Sequence, residues 1–143
     1  MSPTEPAGAA AGVTRRQVSN LHEGLLRLVT EDHGGEGSIL AHRAYQRGGP
    51  DGPRPPIAFI DLVVLPPGTS IGRHRHGDDE ETYVILTGSG RMTLDGAEFP
   101  VRAGDVVRNR PWGEHGLRND AGTDLHLLVF ELGPLGTAEG DPR

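Results

Sequence analysis

His74, His76, Glu81 and, further along the chain, His115 are the residues whose types and spacing could do chemistry. Neutral imidazoles and a carboxylate are good donors for a first-row divalent metal, and four of them leave one or two positions of an octahedral ion open to water, substrate or dioxygen. An open position separates a catalytic metal site from a structural one. The chain has no cysteine, so any metal must be held by nitrogen and oxygen, and no disulfide can form. The carboxylate has a rival next to it in Glu80. Glu81 is preferred as ligand because it begins the alternating run Glu81, Tyr83, Ile85 on one strand face, leaving Glu80, Asp78 and Asp79 as loop residues at the rim.

Such a set needs rigid elements to hold it. From Ser38 onward the chain reads as short strands at 39–45, 58–65, 82–86, 91–94, 98–101, 105–108, 115–118 and 124–131. Turn chemistry separates them: Pro66-Pro67-Gly68, Gly88-Ser89-Gly90, Asp95-Gly96, Ala103-Gly104, Pro111-Trp112-Gly113 and Asn119-Asp120-Ala121-Gly122. Asp95-Gly96 is the sharpest, because a two-residue hairpin turn wants positive φ at both positions. Short strands at regular intervals predict an all-β fold, a double-sheet jelly roll or small barrel. On such a strand a His-x-His pair sends both imidazoles to the same interior face.

The flanks are of another kind. Residues 1–12 are rich in alanine, glycine and proline and read as a flexible tail, as do residues 134–143. Residues 13–56 form an N-terminal arm with the first strands, and 57–133 the barrel. Within the arm, Val18, Leu21, Leu25, Leu26 and Val29 recur at roughly helical spacing, with Asn20 and Glu23 as a possible capping box. Gly24 weakens that pattern, so a short helix and an extended arm both stay open.

Residues 68–88 have the form G-x5-H-x-H-x4-E-x6-G, from Gly68 through His74, His76 and Glu81 to Gly88. In a second segment Gly104, His115 and Asn119 fit G-x5-P-x-G-x2-H-x3-N. The pair of motifs, in this order, resembles the cupin superfamily. One stretch departs from the pattern: Arg110 and Trp112 stand where proline and glycine are expected, and Pro111 and Gly113 come one residue late. The resemblance implies a double-stranded β-helix, or jelly-roll barrel, with one divalent ion per chain, Fe(II), Zn(II), Mn(II) or Ni(II), on His74, His76, Glu81 and His115. It also implies a homodimer, in which the arm could add a strand to a neighbouring sheet and cover an edge.

The reaction is not specified by the superfamily, which includes dioxygenases, decarboxylases, isomerases, cyclases and non-enzymatic binders. The reading is a metal-dependent enzyme acting on a small chelating metabolite, either as a dioxygenase or as a Lewis-acid catalyst. A zinc-dependent isomerase or cyclase and a non-catalytic ligand-binding or accessory protein are the alternatives. Candidate pocket residues are Tyr83, two positions beyond Glu81; Arg43 and Arg91, whose guanidinium forks could anchor a carboxylate; and His126, placed inward with Leu128 and Phe130 on the last strand. Trp112 could wall the entrance. His22, His33 and His42 lack ligand spacing and read as surface or core histidines.

Composition excludes other classes. Acidic residues outnumber basic ones by 20 to 14, the formal net charge is -6, and no lysine is present, so nucleic acid is not an expected partner. The apolar run 62–65 is far short of the ~20 residues a membrane helix needs, and the expected location is cytoplasmic. Abundant glycine, alanine and arginine without lysine resembles a GC-rich bacterial source, where cupins of this size resemble tailoring enzymes of secondary metabolism.

Overall fold

The structure, a computed structural model, describes residues 18–48 and 55–140. Ten strands follow one another: β1 (Arg27–Thr30), β2 (Ser38–Gln46), β3 (Ile57–Leu65), β4 (Ser70–Arg75), β5 (Glu80–Thr87), β6 (Ser89–Leu94), β7 (Ala97–Arg102), β8 (Val106–Asn109), β9 (Glu114–Arg118) and β10 (Leu125–Leu132). Among the described residues one 3-10 turn, Asp32–Gly34, interrupts them. Six strands form one antiparallel sheet in the order β1-β2-β3-β10-β5-β8, and four form a second in the order β4-β9-β6-β7. This is the all-β jelly roll that the alternating sequence predicts.

The core lies between the sheets. Val63 and Leu65, Leu125, Leu127 and Val129, and Tyr83 and Ile85 point inward from the larger sheet, and Ile71, Met92, Val101 and Leu117 meet them from the smaller one. Each buried side chain of this kind stabilises the fold by ~1.5–3 kcal/mol relative to exposure. The hairpin at Asp95-Gly96 has the expected positive φ at both residues, 47° and 83°. Gly88 and Gly90 serve a different purpose from a simple turn. A Cβ on Gly88 would lie 2.6 Å from the Asp124 carbonyl oxygen, and one on Gly90 2.6 Å from that of Arg118, so glycine is needed where the chain passes from one sheet to the other.

One open alternative is decided and two expectations are revised. Residues 18–26 form neither helix nor strand and bend at 21–24, and 27–30 are extended as β1, which pairs with β2 from Arg27↔Ala41 to Thr30↔Ser38 and gains ladder bonds that a short, glycine-interrupted helix would not. Strand β4, carrying His74, was not among the expected strands; glycine and charged residues conceal its pattern. Residues 134–140 are docked rather than free: Asp78 accepts bonds from the Gly136 and Thr137 amides at 2.8 and 2.7 Å, and Arg75 pairs with Glu139 at 2.9 Å. The tail expected at 1–12 lies outside the described residues. No helix among the described residues is long and apolar enough to cross a membrane.

Candidate metal centre

Strand pairing brings the four sequence-predicted ligands together. Antiparallel β4 and β9 set His74 directly opposite His115, just after an irregularity in register between Ile71 and His74. His76 follows just beyond the end of β4, where its amide donates to the Gly113 carbonyl at 2.9 Å, and Glu81 comes from β5 in the opposite sheet. The Nε2 of His115 is 3.1 Å from His74 Nε2, 3.1 Å from His76 Nε2 and 3.1 Å from Glu81 Oε1; His76 Nε2 is 3.5 Å from the same oxygen. Glu80 turns away and pairs with Arg108.

The remaining ring nitrogens fix which atoms face the centre. His74 Nδ1 donates to the Gly72 carbonyl at 2.8 Å, so its Nε2 presents a lone pair inward. Burial, followed by neighbouring imidazoles, lowers its pKa to about 4, which keeps the ring neutral. His76 Nδ1 bonds Asp79 Oδ2 at 2.6 Å. Burial opposes protonation of His76, but the Asp79 bond and the charges of Glu81, Asp79 and Glu131 outweigh it and raise the pKa. His115 is fully buried, and its Nδ1 has no hydrogen-bond partner among the described residues.

This donor set fits a divalent cation. A single proton on His115 Nε2 can serve only one of the three acceptor atoms 3.1 Å away, whereas a cation among them satisfies every lone pair. The spacing agrees, because neighbouring ligands on an octahedral ion with bonds of about 2.1 Å stand ~3.0 Å apart.

Two carboxyls stand behind His76: Asp79, read from the sequence as a loop residue at the rim, and Glu131, which the sequence reading did not single out. Asp79 receives the His76 bond and the Gly77 amide at 3.1 Å, and Glu131 Oε1 lies 3.7 Å from His76 Nδ1. Burial, then the bond and charge of Asp79, push Glu131 up to about 8, while Asp79 is held down to about 2 by His76 and Glu131 against its own burial. The two carboxyls therefore share one proton near neutrality. Glu131 continues the inward set Leu125, Leu127, Val129, a face of β10 that period alone could not single out.

A cavity of about 380 Å³ opens beside the centre and meets it at Glu81. Tyr83 lines it, 2% exposed, with its ring 4.5 Å from that of His115; burial, then the Glu81 charge, raise its pKa well above the ordinary phenol value. Arg43 also lines the cavity, yet its fork is already engaged: Nε and Nη2 donate to Asp61 at 2.9 and 3.0 Å, and the guanidinium lies 4.1 Å from the Phe59 ring centre. Arg91 does not reach the cavity. It pairs with Glu98 at 2.7 Å on the outer face of the smaller sheet. His126 is a correction as well: the buried residues of β10 are Leu125, Leu127 and Val129, so His126, Leu128 and Phe130 face outward. Both alternating sets are apolar, and period alone could not choose between them. His33, expected to be an ordinary surface or core histidine, lines the cavity and stacks on His74.

Residues 61–131 match the family described as the cupin domain. The crystal structure of a predicted oxalate decarboxylase from Thermotoga maritima is similar with a TM-score of 0.71 at 26% identity, over 80% of this chain and 97% of that one. The chain belongs to the cupin superfamily. An oxalate-binding protein of Thermotoga maritima is 41% identical over 67 residues, 47% of this chain and 55% of that protein. Polyketide synthase CurC of Streptomyces cyaneus is 34% identical over 77 residues, 54% of this chain and 49% of that protein. The chain thus spans about half the length of the curated relatives it matches.

In this cupin the irregular second motif builds a specific turn. Trp112 takes left-handed backbone, φ 66°, and its amide donates to the Gly77 carbonyl at 2.8 Å. Its indole donates to the Thr137 carbonyl at 3.0 Å, so the ring anchors the docked C-terminal segment. A Cβ on Gly113 would lie 2.2 Å from Asn109 Oδ1 and 2.9 Å from the Arg110 carbonyl oxygen, so a side chain there is disfavoured. The motif asparagine, Asn119, donates to the carbonyls of Leu65 and Thr123, both at 2.8 Å, and pins the end of β9 to β3.

Proposed function

We propose that this cupin is a metal-dependent enzyme for a small metabolite that chelates through oxygen, with His74, His76, Glu81 and His115 holding one divalent ion per chain. The observation that carries the reading is the convergence of these four donors, all within 4.8 Å of one another and His115 Nε2 3.1 Å from each of the other three, beside a cavity that reaches them at Glu81. A bound ion supplies Lewis acidity and, if it is iron, the means to use dioxygen. The chain's own groups do the rest. Ile39, Phe59, Val63 and Val129 give the chamber apolar walls beside the charged Arg43, Asp61 and Glu81, Tyr83 borders it with a phenol kept protonated, and the Asp79–Glu131 pair holds a proton behind His76. At about 380 Å³ the chamber falls within the ~300–1,000 Å³ range of small-molecule sites. That capacity supports a substrate larger than a two-carbon diacid.

A second reading, a non-catalytic binder of small dicarboxylates, is favoured by the likeness to an oxalate-binding protein. The likeness to polyketide synthase CurC supports a role in secondary metabolism. One experiment orders these readings. Elemental analysis of protein purified without added metal, beside His74→Ala and His115→Ala, should find about one ion per chain in the wild type and little in either variant. Oxygen uptake with Fe(II) and candidate diketones or catechols then separates dioxygenase from Lewis-acid chemistry. Stable oxalate binding without turnover of any compound would favour the binder. Wild-type metal content in both variants would remove the site.

A further inference from the structure

We infer that the turn Glu31–Gly35 of the N-terminal arm is a wall of the metal centre, and that His33 is a positioning residue that sets the ring of His74. The inference rests on the proposal that His74 holds the metal. The two imidazoles lie face to face, with centroids 3.7 Å apart and planes inclined by 13°. Nothing in local sequence links them; the contact is made by the fold.

Backbone packing makes the stack obligatory. A Cβ on Gly35 would lie 2.1 Å from the Ser70 carbonyl oxygen, and a Cβ on Gly72 would lie 2.1 Å from that of His33. Two segments of the chain therefore touch main chain to main chain at a point that admits only glycine on either side. Hydrogen bonds close the junction: the Ser70 amide to the Glu36 carbonyl at 2.9 Å, and the Glu36 amide to Ser70 Oγ at 2.8 Å. Glu31 and His33 both adopt left-handed backbone, φ 51° and 49°, which non-glycine residues seldom do unless the surroundings impose it. The same junction controls both sides of the ligand ring. Gly72 supplies the carbonyl that takes the Nδ1 proton of His74, and His33 covers the ring face. With edge and face both set, Nε2 can point only toward His115.

His33 does not belong to the four-donor cluster. It acts through contact with the ring, as supporting groups around metal ligands commonly do. Because His33 and Asp32 also line the cavity, the turn joins the metal centre to the chamber in which a substrate would sit.

The test uses the full chain, stripped of metal and titrated with Co(II) alone, followed by its visible absorption and by competition with a chelator. Wild type is compared with His33→Ala, His33→Phe and His74→Ala. Removing the stack should weaken Co(II) binding by ~10-fold or more and alter the absorption bands, and the phenyl ring, flat but without nitrogen, should restore both. His33 is half exposed, so matching melting curves of the metal-free proteins serve as the folding control. If His33→Ala binds Co(II) with wild-type affinity and spectrum while His74→Ala has lost it, the positioning role is overturned and the metal centre stands. If His33→Phe is as weak as His33→Ala, a nitrogen rather than the ring face is at work and the inference fails. If His74→Ala itself binds like the wild type, the metal reading falls first and takes the inference with it.

Discussion

His76 is held between two demands: its Nε2 stands 3.1 Å from His115 Nε2, while its Nδ1 is tied to Asp79 Oδ2 at 2.6 Å. The bond to Asp79 fixes the tautomer and the ring orientation, and it makes the inward nitrogen a stronger donor. Asp79 thus supports the candidate centre although it is not one of its four donors.

Asp79→Asn should keep the fold and lower metal affinity by ~10–100-fold, the usual effect of losing such a carboxylate. Asp79→Ala should be worse, because it leaves Nδ1 without a partner in a mostly buried place. Calorimetric titration of the metal-free proteins would check both, and equal affinities in all three would refute the role.

The shared proton on Asp79 and Glu131 predicts how the metal-free protein responds to pH. The Glu131 carboxyl ionises near 4.5 when unfolded and at about 8 when folded, so between these values the folded state keeps a proton that the unfolded state has lost. Stability therefore falls as pH rises through that window. His76, whose pKa is raised on folding, adds a loss of the same sign as pH rises through its folded value. Asp79, lowered to about 2 from 3.8, contributes in the opposite sense, but only at lower pH. His74, lowered to about 4 from 6.5, opposes this loss below about pH 6.5, so melting temperatures in the presence of a chelator should decline mainly from pH 6.5 toward pH 8, and Glu131→Gln should flatten the decline. An unchanged slope in that variant would rule out Glu131 as its source.

Much of the site was legible in the sequence because it depends on period two. His74 on β4 and His76 just past its end reach the same centre, and Glu81, Tyr83 and Ile85 share the inward face of β5, as their spacing predicts. Other parts were not legible, for identifiable reasons. Strand β10 is apolar on both faces, so its alternation is consistent with either face turned inward, and His126 was placed on the wrong one. The stack of His33 on His74 and the docking of residues 134–140 on Asp78 depend on contacts between distant segments. No local pattern encodes them. Gly35 and Gly72 are visible in the sequence, but their complementarity appears only when β4 and the arm are in contact.

That complementarity has a cost that can be measured. Gly72→Ala or Gly35→Ala forces a methyl group against main-chain oxygen at 2.1 Å, where no flexible side chain can yield. Each should destabilise the fold by about 1–3 kcal/mol or more, the range for overpacking. Chemical denaturation of the metal-free proteins measures it, and a change below ~0.5 kcal/mol would mean that the arm is free to move off β4.

The C-terminal segment should stabilise the loop that carries Asp79. Asp78 accepts two amide bonds from Gly136 and Thr137, and Trp112 adds its indole bond to Thr137. Asp78→Ala should cost about 1–3 kcal/mol, since it removes bonds to a charged acceptor. Proteolysis at residues 134–140 should quicken in step. Resistance equal to wild type would show that the segment is held by other contacts.

The outer face of the larger sheet bears on the proposed homodimer. Exposed large apolar side chains sit on the arm and at both edges of that sheet: Leu25 at 91%, Leu28 on β1 at 65% and Val106 on β8 at 61%. Leu128 and Phe130 of β10 lie between those edges, on the outward face and half buried. The arm already crosses part of this face, since a Cβ on Gly24 would strike the His42 ring at 1.9 Å. Apolar surface spread over one sheet in this way is what a second copy would cover. Light scattering should therefore give twice the monomer mass, and Leu28→Asp combined with Val106→Asp should shift the population to monomer while the metal-free far-ultraviolet spectrum stays β-rich. A wild-type monomer at the concentrations used for metal titration would remove the dimer, and the metal centre, built within one chain, would be unaffected.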